Sequence, residues 1–144
     1  MKRAAAILAA IILVGMAGVA QAKGSAADVE RYLQRAEQND PKSPQVQLAW
    51  GRYFMQSGKL AQAEKAFARA RELAPNAIAP LLELGDIYLR TNRAKEAVAS
   101  YSAATKIDVK SPAAMYGLGV ALAASGQRDE AMRTLQKTAE LAPK

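Results

Sequence analysis

The sequence predicts an all-α solenoid of three helix pairs, preceded by one capping helix. Three observations point there. The chain is 51% hydrophobic but only 6% aromatic, so alanine and other small aliphatic residues supply most of its apolar surface. Such side chains suit closely approaching helices, whereas strands favour β-branched and aromatic residues. A glycine recurs at Gly51, Gly85 and Gly119, a spacing of 34 each time, and six other positions recur with it. A period in that range marks a stacked helix-pair repeat. Finally, there is no cysteine and no histidine. That excludes disulfide frameworks, thiolate and imidazole metal sites, and catalysis by a Cys nucleophile or a His base.

The chain opens with a segment that reads as an export signal, residues 1–22. Lys2 and Arg3 form its positive end, and Ala4 to Ala20 is uncharged, most apolar from Ile7 to Val14. Ala20-Gln21-Ala22 supplies a small-x-small cleavage pattern. Cleavage after Ala22 in a bacterial periplasm is the expectation. The alternative is an uncleaved inner-membrane anchor: the uncharged run reaches the short end of the spanning range, although Gly15 and Gly18 weaken it as a helix. Lys2-Arg3 is not a twin-arginine pair, and no cysteine follows for lipid attachment. Removing the two basic residues lowers the net charge from +7 to +5.

From residue 44 onward the period governs each element. Twelve residues beyond each glycine stand Ala63, Ala97 and Ala131; sixteen beyond, Phe67, Tyr101 and Leu135. Nineteen beyond are Ala70, Ala104 and Thr138; 24 beyond, Pro75, Val109 and Pro143. Trp50, Leu84 and Leu118 precede the glycines, and Phe54, Tyr88 and Leu122 follow three later. Only small side chains allow two helices to cross closely, so each glycine is expected on a first helix, facing the alanine of a second. Phe67, Tyr101 and Leu135 then fill the wider space. Gly58, Asn92 and Gly126 tolerate the left-handed backbone that ends a first helix. Ser43-Pro44 and Ser111-Pro112 are N-cap and N1 pairs. One period upstream, Val29, Leu33, Ala36 and Pro41 match Ala63, Phe67, Ala70 and Pro75. Ala26–Asn39 is therefore expected to be a second-type helix whose first helix would fall in the signal, and residues 23–43 a capping half repeat with Glu30, Arg31, Gln34, Arg35 and Gln38 on its polar face. The array reads as complete at seven helices.

The spaced Leu-Gly, aromatic, Ala, aromatic, Ala and Pro positions resemble the tetratricopeptide repeat. The repeats are residues 44–77, 78–111 and 112–144, with Val109, Thr138 and Leu122 as departures. The resemblance implies a right-handed solenoid whose first helices line a concave, partner-binding groove. Carried onto this chain, that lining is Gln45, Leu48, Arg52, Met55 and Gln56; then Leu82, Asp86, Leu89 and Arg90; then Tyr116 and Val120. Leu82, Leu89 and Tyr116 are the informative positions: they either pack against neighbouring repeats or serve as apolar anchors for a peptide. The family's carboxylate clamp is absent, since its positions hold Leu48, Arg52, Glu83, Ala113 and Gly117.

Other functions find little support. The serines fall at caps, turns or helix surfaces, and no base accompanies them. Glu83 and Asp86 share a helix face but stand without other catalytic groups. Gly117-Leu118-Gly119 lies inside a helix and is no phosphate loop. Lys65, Arg69 and Arg71 are flanked by Glu64 and Glu72, and most aromatics occupy repeat positions, which argues against nucleic acid. The expectation is a non-catalytic protein-binding module of the cell envelope, without metal or cofactor. It contacts a membrane only if residues 1–22 are retained. A tethered or self-assembling factor for a secretion, pilus, cytochrome or outer-membrane complex is the alternative, and homo-oligomerisation stays open.

Overall fold

The computed structural model describes residues 1–141, and among them the chain is all-α. Eight helices follow one another: α1 (Lys2–Ala22), α2 (Ala26–Asn39), α3 (Pro44–Gln56), α4 (Leu60–Leu73), α5 (Ala79–Arg90), α6 (Ala94–Ile107), α7 (Pro112–Ala124) and α8 (Arg128–Leu141). Pro143 and the end of the third repeat at residue 144 lie outside the described residues. The chain forms two compact units, Met1–Pro75 and the part from Asn76 onward. The first contains the pairs α1–α2 and α3–α4, the second α5–α6 and α7–α8, so the 34-residue period is a helix-pair period.

Local signals place the boundaries. The Ser43 hydroxyl accepts a hydrogen bond from the Val46 amide at 3.4 Å, and that of Ser111 from the Ala114 amide at 3.2 Å. Each is followed by a proline at the first helical position, where the missing N–H is not needed. First helices end at Gly58, Asn92 and Gly126, all with positive φ. Asn92 carries a β-carbon into that region and costs about 1 kcal/mol relative to glycine.

In the first unit, α1 is part of the fold. Ala10, Leu13, Ala17 and Ala20 form a buried stripe at helical spacing and join Val29, Leu33 and Ala36 of α2 in one core with Val46, Trp50 and Ala66. With residues 1–22 present, the described chain has the seven expected helices and, ahead of them, α1 in the place of the first helix that pairs with α2. Ala17 stands one period before Gly51, and Leu33 one period before Phe67. Ile7, Leu8, Ile11, Ile12, Met16 and Val19 of α1 are about half exposed, the last three along a cleft shared with Asp28 and Tyr32 of α2.

The second unit refines one expectation about packing. The atoms nearest the repeat glycines belong to the large residue of the second helix, and at Gly119 the Ala131 carbonyl follows, 3.6 Å from where a β-carbon would stand. The Tyr101 ring, from α6, lies against Gly85 of α5 on one side and Gly117 of α7 on the other. A β-carbon on Gly85 would come within 2.5 Å of Tyr101 Cε2, and one on Gly117 would overlap Cε1. The ring thus replaces the volume that two side chains would need, and the alanines Ala97 and Ala121 complete the same cluster. Ser100, expected on a helix surface, is also buried. Its hydroxyl donates to the Leu81 carbonyl at 2.9 Å and ties α6 to α5.

Candidate partner-binding face

The first helices are neighbours within each unit: α1 beside α3, and α5 beside α7. Their shared faces hold the positions expected to line a groove. In the first unit Gln45, Arg52 and Gln56 are exposed, while Leu48 and Met55 are half-buried. Here α1 adds residues that the sequence did not assign to the face. The Gln21 side-chain amide donates to Gln56 Oε1, and Val14, Ala17 and Gly18 line a cleft of about 160 Å³ with Leu33, Ala49 and Arg52. A signal for this exists in the sequence, since the 34-residue frame extends back to Ala17. It is masked because the same segment carries every mark of a leader.

In the second unit, Leu82 and Leu89 are half-buried and pack against the Ala97, Tyr101 and Ala121 cluster. They form the floor of the face. Asp86 and Arg90, one turn apart on α5, pair at 3.1 Å with about half of each side chain exposed. Such a pair contributes at most about 0.5 kcal/mol. Arg90 therefore meets an incoming acidic group only in competition with its own neighbour. Val120 is half-buried. Tyr116 differs from all of these: it stands on the repeat position of Leu48 and Leu82 yet is 61% exposed.

Tyr101, core by its repeat position, packs beneath Leu82 and Leu89 of the candidate face. Its phenol is pushed up to about 12, chiefly by burial and then by the negative charges of Asp86 and Glu83. The hydroxyl therefore stays neutral at ordinary pH. Among the described residues, no three Asp or Glu side chains gather to hold a metal ion. What the face offers is contact surface: an exposed aromatic, aliphatic floor residues and a paired charge.

Comparison with known proteins follows the same lines. The family model described as tetratricopeptide repeat matches residues 48–112 and 82–144. The sequence has no match among the curated proteins searched. Solved structures similar in fold include a Thermobaculum terrenum O-GlcNAc transferase mutant, with 24% identity and a TM-score of 0.72 over 85% of this chain. Yeast Tom70 matches with 23% identity and a TM-score of 0.84 over 94%. YrrB, described as a TPR protein with an unusual peptide-binding site, matches with 18% identity and a TM-score of 0.77 over 93%, and 69% of its own chain is covered. The chain spans only 23% of the transferase and 30% of Tom70. At these identities the likeness concerns fold.

Proposed function

The chain belongs to the tetratricopeptide repeat family, and from that premise we propose that it is a non-catalytic binding module of the bacterial cell envelope. Residues 1–22 direct export and are removed after Ala22, leaving the module in the periplasm. The partner is a protein segment, extended or helical, that docks on the first-helix face. Tyr116 carries this reading. Tyr116 is 61% exposed, whereas Leu82 at the same repeat position is half-buried, and aromatic side chains anchor peptide segments at little cost in conformational entropy. Leu82 and Leu89 of the same unit supply apolar floor around it, and Arg90 favours an acidic segment. The peptide-binding site described for YrrB supports the same use of the fold.

The deciding experiment is capture from an envelope fraction with the wild-type chain and with a Tyr116→Ala, Arg90→Glu variant. The variant keeps its helical circular dichroism and loses the captured protein. Identical capture by both baits sinks the reading. A second reading has its own support: α1 is 21 residues long, about 31 Å at 1.5 Å per residue, and presents an aliphatic stripe. On that reading α1 is retained as an inner-membrane tether for an envelope assembly factor. The mass of the native N-terminus separates the two, because Lys23 as the first residue excludes the tether.

A further inference from the structure

We propose that processing after Ala22 converts the side of α2 covered by α1 into a groove for a partner's helix, one that is apolar and carries small residues on its docking face. The proposal rests on the processing reading above.

Three second helices, α4, α6 and α8, pair with a first helix lying C-terminal to residue 22; α2 alone pairs with one that processing removes. The face left behind is core. Val29, Leu33 and Ala36 are 2%, 1% and 0% exposed with α1 in place. They occupy the repeat positions of Ala63, Phe67 and Ala70, each 0% exposed beneath its own first helix. Contiguous apolar surface of that kind marks an interaction site on a soluble protein.

The groove keeps its second wall without α1. α2 is tied to α3 by the Tyr53 hydroxyl donating to Glu30 at 3.3 Å and by the Gln47 amide donating to Glu37 at 3.1 Å. Neither bond involves residues 1–22.

α1 itself shows what fits. Its docking face is Ala10, Leu13, Ala17 and Ala20, three small residues and one leucine at helical spacing. Immediately after the last, Gln21 reaches the Gln56 side chain. The occupant is therefore a helix with that pattern, followed by a polar amide. Its outer face is free at the positions of Ile7, Leu8 and Ile11, which are about half exposed, whereas Ile12, Met16 and Val19 line a cleft with Asp28 and Tyr32 of α2. A second processed copy has no spare helix of this type, since its α3, α5 and α7 are each paired within their own repeat. The occupant assigned to the groove is therefore a different protein, and a second copy docking through α8 is the competing outcome that the titration below rejects.

The test uses chain exported from the full-length gene and purified after processing. A 21-residue peptide with the sequence of α1 is made soluble by replacing Ile7, Leu8 and Ile11 with Lys, Glu or Gln and by a charged tag at its N-terminal end. Binding is read from Trp50, the single tryptophan and a member of the same core. The expected result is saturable 1:1 binding in the micromolar range, weakened about tenfold or more by Ala17→Arg in the peptide. Placing the disruption in the peptide leaves the protein's folding untouched. Absence of saturable binding, or equal binding of the Ala17→Arg peptide, overturns the proposal, as does a processed dimer that the peptide fails to dissociate. A mass that still includes residues 1–22 overturns the processing reading as well. A mass beginning at Lys23 with a failed titration overturns the groove alone.

Discussion

Replacing Gly117 with alanine tests the packing of the second unit most directly, because two effects of known size oppose each other. Alanine is the better helix former by about 1 kcal/mol, so local propensity alone predicts a more stable protein. Packing predicts the reverse. The new methyl group would overlap Tyr101 Cε1, and the ring cannot retreat, because Gly85 lies close against its other edge. Relief requires α7 to move away from α6, and overpacking of this kind costs about 1–3 kcal/mol. With the propensity gain subtracted from the upper part of that range, the net loss is about 1–2 kcal/mol. Urea unfolding followed by circular dichroism reads it as a lower midpoint with an unchanged slope. Gly18→Ala is the matched control: nothing lies within 4 Å of a β-carbon there, so the full-length chain should be unchanged or slightly stabilised. Combining Gly117→Ala with Tyr101→Ala should reverse the sign of the Gly117 effect. A Gly117→Ala protein as stable as wild type would refute the wedge, and with it the account of why two glycines flank one tyrosine.

Two further outcomes follow from the same structure. Phenolate absorbance of the five tyrosines should show one late component near pH 12, lost in Tyr101→Phe; Tyr53, raised by burial and by Glu30, also titrates late but persists in that variant. The Tyr101 shift is upward, so its contribution to stability is complete below pH 10 and declines as the pH rises towards 12, a decline that Tyr101→Phe should reduce. Ser43→Ala and Ser111→Ala each remove a side-chain cap and should each lower stability by about 1 kcal/mol in denaturant unfolding; a cap loss without effect would show that the proline at N1 suffices to start those helices.

Much of the fold is legible in the sequence because the repeat imposes the same physical demand at the same interval. Val29, Leu33 and Ala36 are recognisable as core from the sequence alone, since they stand where Ala63, Phe67 and Ala70 stand. Gly58, Asn92 and Gly126 are recognisable as helix ends, since only residues tolerant of positive φ serve there. The candidate face is legible as a set of positions but not as a set of roles. Leu82 and Leu89 occupy groove positions and pack as floor, while Tyr116, on the same repeat position as Leu82, stands out in solvent. Repeat position specifies a direction on a helix. How far a side chain is covered depends on the size of its neighbours on adjacent helices, which no single helix encodes.

Residues 1–22 mark the same boundary most sharply. Their composition, charge and terminal Ala-Gln-Ala are enough to suggest a leader, because targeting depends on local hydrophobicity and end charges alone. The small-residue stripe Ala10, Leu13, Ala17 and Ala20 has meaning only against a surface of matching shape, and that surface is formed by α2 and α3 once they fold. Periodicity and composition, both local properties, determined the helix pairs, their ends and the family. Which helix completes α2, which glycines hold Tyr101, and which aromatic remains exposed were decided by tertiary structure, because each is a question of volume shared between separate parts of the chain.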